Sequence, residues 1–163
     1  MIRHTNFQYE EAKYMSEQQL ITRPLRASDE TEWRRLWTLY LEYYESTLPE
    51  EVYRSSFDRM LSGEANEYRG MLALRGDQPI GLVHYLFHRD GWQIENVCYL
   101  QDLYVDESER GKSVGRALIE AVYQKADEEG CPSVYWLTQH FNKAGRRLYD
   151  RVGALSPFIV YER

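Results

Sequence analysis

The amino-acid sequence predicts a single α+β domain with the element order β-α-α-β-β-β-α-β-α-β. Three observations carry that expectation. Apolar residues recur at a helical period near 3.6 in some stretches and as short strand-like runs in others, and the two kinds interleave along the chain. Neither an internal repeat nor a linker-like tract divides the 163 residues, a length that suits one hydrophobic core. Hydrophobic residues make up 43% and charged residues 28%, the balance of a globular chain.

Residues 1–19, "MIRHTNFQYEEAKYMSEQQ", are polar and poor in apolar residues, so they read as an extension, with Met15 as an alternative start and the domain over 20–163. The first strand lies in "QLITRPLRASD" and ends near Pro24. Asp29 and Glu32 have capping-box spacing, and Trp33, Leu36, Trp37, Tyr40, Leu41 and Tyr44 form one helical stripe behind them. Pro49 suits the first turn of a second helix, which is expected to bury Val52, Phe57, Met60 and Leu61 and to stop near Gly63. "RGMLALRG" and "PIGLVHYLFHR" flank the turn signal Gly76-Asp77-Gln78-Pro79 as two strands, and "RDGW" turns the chain into a third, "NVCYLQDLYV". The next helix carries Val114, Leu118, Val122 and Ala126 at steps of four, with Ile119 and Tyr123 beside them. Gly130 ends it and Pro132 blocks its resumption. Strand "SVYWLTQ", a short helix "NKAGRRLYDRV" stopping at Gly153, and a last strand "FIVYE" complete the order.

Composition excludes several function classes. No apolar run approaches the roughly 20 residues that cross a bilayer, and the N-terminus resembles neither a secretory signal nor a transit peptide, so a cytoplasmic protein without membrane partners is expected. The net charge of −6 argues against a sequence-independent grip on nucleic acid and favours small or cationic partners. Cys98 and Cys131 sit in apolar runs without metal-like spacing and read as core residues. His84 and His88 share a strand face, but no matched ligand set accompanies them, so no metal is expected.

The tripeptide Gly111-Lys112-Ser113 raises the question of a nucleotide-binding loop, since it lies between a strand and an amphipathic helix. That loop needs a glycine five residues before Gly111, and Asp106 stands there, a carboxylate that would repel phosphate. "SVYWLTQH" also lacks the strand-end aspartate that would hold magnesium. An ATPase is excluded. What remains is a helix start whose unpaired amides and dipole suit a phosphate, with Arg110, Lys112 and Arg116 adding charge.

Arg110-x-x-Ser113-x-Gly115 resembles the pyrophosphate motif [QR]-x-x-G-x-[GA] of the GNAT superfamily of N-acetyltransferases, with Ser113 where the family usually has glycine. A second stretch, Asn142, Gly145, Leu148, Tyr149 and Gly153, is similar to the family's N-x-x-[AS]-x-x-[FL]-Y-x-x-x-G. The two motifs stand in the family's order, and the resemblance covers about residues 20–162. "YLQDLYV" and "WLT…N…LYDRVG" look most like the branch of spermidine/spermine and histone/polyamine acetyltransferases. The resemblance implies a twisted, mostly antiparallel mixed sheet flanked by helices, and acetyl-CoA held without metal by Arg110, Gly111, Lys112, Ser113, Val114, Gly115, Arg116 and Asn142. Backbone amides around Leu103, Tyr104 and Val105 would meet the oxyanion, and Tyr149 would protonate the leaving sulfur. A homodimer is implied by the branch.

Direct attack of an amine on the thioester requires a neutral nucleophile, so a group that orients or deprotonates the amine is expected. The resembling branch often has Glu-Asp before its "LYV"-like tripeptide. Here Gln101 takes no proton at neutral pH and is excluded as a carboxylate base, while Asp102 matches. The resemblance implies that Asp102 orients or helps deprotonate the amine, directly or through water, with a strand-edge salt bridge as its competing role. The base-free stretch "EYYESTLPEE", with Glu42, Glu45, Glu50 and Glu51 beside Tyr43 and Tyr44, suits a polyamine or lysine-like cation, or is a solvated acidic loop. The expected function is acetylation of a small cationic amine. The alternatives are a catalytically weak CoA-binding sensor and a histone-like protein lysine acetyltransferase.

Overall fold

The computed structural model describes residues 19–163, so the expected N-terminal extension, apart from Gln19, lies outside the described residues. Five strands form one sheet in the order β1 (Leu20–Pro24), β2 (Arg69–Arg75), β3 (Gln78–Arg89), β4 (Asn96–Val105) and β5 (Val134–Tyr135). The first four pair antiparallel, and β5 joins β4 in parallel. Four helices cover the sheet: α1 (Glu30–Tyr43), α2 (Glu50–Ser62), α3 (Val114–Glu128) and α4 (Lys143–Val152). This is the mixed, mostly antiparallel α+β class that the sequence predicts.

Side chains alternate across a strand, so each face of the sheet can build its own core. Leu72, Leu74, Leu82 and Tyr104 face α1 and α2, where Trp33, Leu36, Trp37, Tyr53 and Phe57 meet them. Val83, Tyr85, Phe87, Cys98 and Leu100 face the other way, onto Val114, Leu118, Ile119 and Val122 of α3. Both cysteines are buried and free, and burial pushes the Cys98 thiol up to about 12, the behaviour of an inert core thiol.

β4 breaks the alternation once. Tyr85 pairs with Leu100 and His84 with Asp102, so Gln101 is an extra residue on β4, a β-bulge. Leu100 and Leu103 therefore both face α3, while Asp102 and Tyr104 turn toward α1. β5 pairs with β4 only at Cys98 and Tyr99. Among the described residues no strand lies beside β4 beyond Tyr99, and its outer edge is open there.

Four expectations need correction. Asp29 does not cap α1 through a capping box: its carboxylate takes two hydrogen bonds from Arg23, at 2.6 and 2.8 Å, and one from the Arg26 amide, while Glu32 accepts from Arg35. The Arg23 hydrogen bonds hold the Asp29 carboxyl below its ordinary range. In α2 it is Tyr53, not Leu61, that joins the core with Phe57 and Met60, because Leu61 lies on the solvent side. The strand in "SVYWLTQ" shrinks to two residues, since Trp136 leaves the sheet to pack on Tyr149 and against Gly153. The last strand, "FIVYE", does not form: Phe158, Val160 and Tyr161 are 60–89% exposed, and strand propensity without a partner edge supplies no ladder.

Candidate active site

A cleft of about 850 Å³ opens beside the free edge of β4. Its floor is Leu103, Tyr104 and Val105, its first wall the loop and first turn leading into α3, and its second wall the face of α4 with Asn142, Leu148 and Tyr149. Tyr40, Tyr43 and Tyr44, from the end of α1, close the far end. Behind them a narrow cavity of about 20 Å³, the size of one water, runs between Tyr40, Gln101, Trp136, Thr138 and Tyr149.

The α3 wall follows from backbone geometry. Gly111 and Ser113 both adopt left-handed conformations, with φ of 78° and 66°, and the first helical bond runs from Ala117 N–H to the Ser113 carbonyl. The amides that precede it have no intrahelical acceptor, and they point where the helix dipole is positive. Ser113 therefore does not take the helical angles that a serine accepts freely. It occupies a position that suits glycine, at a cost of about 1 kcal/mol. Ser113→Gly is expected to raise stability by roughly that amount while leaving cleft binding intact, checked by urea denaturation and calorimetric titration with CoA.

Charge around the cleft is sorted by local pairing. Glu109 lines it but is neutralised by Arg75 at 2.8 Å and Lys112 at 3.2 Å, and the Arg75 hydrogen bond lowers its pKa. Lys112 is thereby drawn to Glu109 and does not line the cleft, unlike Arg110, Gly111, Ser113, Val114, Gly115 and Arg116. Arg147 and Arg151 of α4 add two cations that the sequence motifs did not single out. Their spacing of four residues, in phase with Asn142's helix, was the available signal.

Two glycines fit close contacts rather than turns. The Asn142 side chain accepts the Gly145 amide at 3.0 Å, and a Cβ at residue 145 would lie 2.6 Å from Asn142 Nδ2. Glycine in place of the usual alanine or serine thus makes room for this cap. A Cβ at Gly115 would lie 3.1 Å from Leu148, so Gly115 sets how closely α4 approaches α3.

Tyr149 stands half-buried at the junction of the cleft and the narrow cavity, edge-on to Trp136 at 5.5 Å between ring centres. Burial raises its pKa, with the nearby Tyr44 hydroxyl adding to the rise, so it remains a proton donor at neutral pH. Asp102 is not on the cleft wall. It is 7% exposed and faces α1, where its carboxylate meets His84 Nδ1 at 2.8 Å; Gln101 lines the narrow cavity instead. Of the acidic stretch, Glu42, Glu45, Glu50 and Glu51 line neither space, and Glu50 is bound to Arg34 at 2.6 Å. Tyrosines, not carboxylates, form this end of the site.

The sequence matches the acetyltransferase (GNAT) family over residues 33–154, a span that includes every element of the cleft. This chain belongs to the GNAT family. It is similar to the D-amino-acid N-acetyltransferase of Saccharomyces cerevisiae, with 38% identity over 157 residues covering 94% of this chain and 96% of that protein. A more limited similarity, 31% over 80 residues, links it to the thialysine N-epsilon-acetyltransferase of Bos taurus, covering 49% of this chain and 46% of that one. Its fold matches an aminoglycoside N-acetyltransferase solved in complex with CoA at a TM-score of 0.77, with 17% identity over 89% of this chain and 94% of that one. The GNAT chain is accordingly an N-acetyltransferase.

Proposed function

We propose that this enzyme transfers the acetyl group of acetyl-CoA to the amine of a small, positively charged acceptor by direct attack on the thioester. The observation that carries the reading is the continuous cleft from the α3 amides to the Tyr149 hydroxyl, with the tyrosine-lined pocket at its far end. Its donor set fits the cofactor: first-turn amides with Arg110, Arg116, Arg147 and Arg151 suit a pyrophosphate, and the open edge of β4 suits an extended chain laid beside it. When bound, acetyl-CoA supplies the activated acetyl group. Arg110, Gly111, Ser113, Val114, Gly115 and Arg116 then hold phosphate, with Lys112 acting at a distance through its pairing with Glu109. Asn142 shapes the opposite wall, and backbone groups of Leu103, Tyr104 and Val105 polarise the carbonyl. Tyr149 donates a proton to the departing sulfur.

The acceptor end holds rings and hydroxyls of Tyr40, Tyr43 and Tyr44, which suit an ammonium group through cation–π contact and hydrogen bonding. Near full-length similarity to the D-amino-acid enzyme favours an amino acid as acceptor; partial similarity to the thialysine enzyme supports lysine-like amines and polyamines. An acetylation assay over D- and L-amino acids, thialysine, spermidine and a neutral hydroxylamine ether tests the class, and a preference for the neutral acceptor would overturn it. Because the glutamates of the acidic stretch do not line the cleft, Glu50→Gln combined with Glu51→Gln is expected to leave KM for every acceptor within about twofold at low and high salt. A rise in KM confined to diamines would restore that stretch to the site. The same reading includes a homodimer, supported by the exposed apolar run Phe158–Tyr161, and sedimentation of the purified chain tests it.

A further inference from the structure

The turn that opens the α3 wall of the cleft follows an acidic run, Asp106, Glu107 and Glu109, although the wall itself suits an anion. Each of these carboxylates is tied to an arginine. Asp106 pairs with Arg35 of α1 at 3.3 Å, and Glu107 pairs with Arg110 at 3.4 Å. Glu109 pairs with Arg75, the last residue of β2. Of the three, Glu109 is the one that lines the cleft.

The Arg75 pair is also the tightest of the three. Arg75 donates from Nε at 3.0 Å and from Nη2 at 2.8 Å to the same oxygen, Glu109 Oε2, while Lys112 Nζ donates to Oε1 at 3.2 Å. The Arg75 and Glu109 side chains are 22% and 15% exposed, against 86% for Glu107, so water screens their charges less. Strand pairing fixes where Arg75 stands, in register with Leu20 of β1 and Gln78 of β3. The sheet thus supplies an anchored cation to a loop that lies 34 residues further along the chain. The Arg75 hydrogen bond lowers the Glu109 pKa, so the carboxylate is charged at neutral pH. Unmasked, that charge would face any phosphate held along Gly111 to Gly115.

We propose that Arg75 is a positioning residue for donor binding: it holds the Glu109 carboxylate masked in the cleft wall, and without it that carboxylate repels the pyrophosphate. The inference rests on the acetyl-CoA reading given above and adds a residue that lies outside both sequence motifs. Glu109, Arg75 and Lys112 together carry one net positive charge. Removing Arg75 alone cancels it, removing the Glu109 charge alone doubles it, and removing both restores it.

The test is calorimetric titration of CoA into Arg75→Ala, Glu109→Gln and the double variant. Steady-state kinetics accompany it with two donors, acetyl-CoA and S-acetylpantetheine, which carries the same thioester and no phosphate. Arg75→Ala is expected to weaken CoA binding by about tenfold at low salt, and the loss is expected to shrink as salt rises. KM for acetyl-CoA is expected to rise in step while kcat holds, the pattern of lost ground-state attraction. Glu109→Gln is expected to bind CoA at least as tightly as the wild type, and the double variant to regain wild-type affinity within about twofold. KM for S-acetylpantetheine is expected to be the same in all four proteins. A double variant as weak as Arg75→Ala, or an equal loss with S-acetylpantetheine, would overturn the proposal, as either marks damage to the loop or the fold. Glu109→Gln carries the test alone if Arg75→Ala fails to fold, and weaker CoA binding there would overturn it. A wild-type protein that binds no CoA overturns the donor reading and this inference together; wild-type binding matched by Arg75→Ala overturns this inference only.

Discussion

Replacing Tyr149 by phenylalanine is expected to lower kcat by about 10²–10⁴-fold, the range that a positioned proton donor contributes. The affinity for acetyl-CoA is expected to stay nearly unchanged. The ring fills the same space against Trp136 in either variant, so the loss isolates the hydroxyl. Direction follows from protonation. A proton donor must hold its proton, and burial raises the Tyr149 pKa, so the wild-type rate is expected to survive through the ordinary tyrosine range and to fall only above it. Stopped-flow measurement of thiol release, together with titration of acetyl-CoA binding, checks both halves. A Phe variant with wild-type kcat on an established acceptor would remove Tyr149 from the chemistry.

The largest structural effect is expected at Trp33, where alanine should cost about 3–5 kcal/mol and lower Tm by roughly 6–20 °C. Trp33 is wholly buried, its ring centre 5.1 Å from that of Trp37 and 5.0 Å from that of Phe57, so truncation leaves a large void in the α1–α2 core. It also strips the donor from His84 Nε2 and leaves a buried acceptor unpaired, at about 1–3 kcal/mol. Trp33→Phe separates the two contributions, because it retains most of the volume and loses only the N–H. Thermal melts of both variants check this, and equal Tm losses would mean that the indole N–H carries the whole effect.

The sequence made the fold class legible because periodicity reports which side of an element is wet. The stripes of α1 and α3 lead directly to Trp33, Leu36, Trp37, Leu118, Ile119 and Val122 in the two cores. Motif spacing likewise located both walls of the cleft, at Gly111–Arg116 and at Asn142–Tyr149. What stayed hidden depends on register between distant segments. Asp102 looked like a cleft residue because its parity along β4 is visible in sequence, but the extra residue before it is not. Tyr40 looked like one more apolar contact in a stripe, since nothing local shows that it lines both the cleft and the narrow cavity. The acidic stretch 42–51 looked like a cation trap, because composition does not reveal that Glu50 is committed to Arg34. The missing strand at 158–162 is the same lesson in reverse: propensity belongs to a segment, whereas a ladder belongs to two.

The single extra residue at Gln101 bears on what changes this lineage of sequences can tolerate. Deleting Gln101 would leave Leu100 opposite Tyr85 and Asp102 opposite His84, so the ladder would close into a regular one and every side chain from Asp102 onward would keep its face. What would go is the bulge itself, with the bend it puts into the strand and the Gln101 side chain that lines the narrow cavity. Length at this point is therefore free to shrink by one residue without disturbing either core, and such a deletion would be felt in the shape of the cavity wall alone.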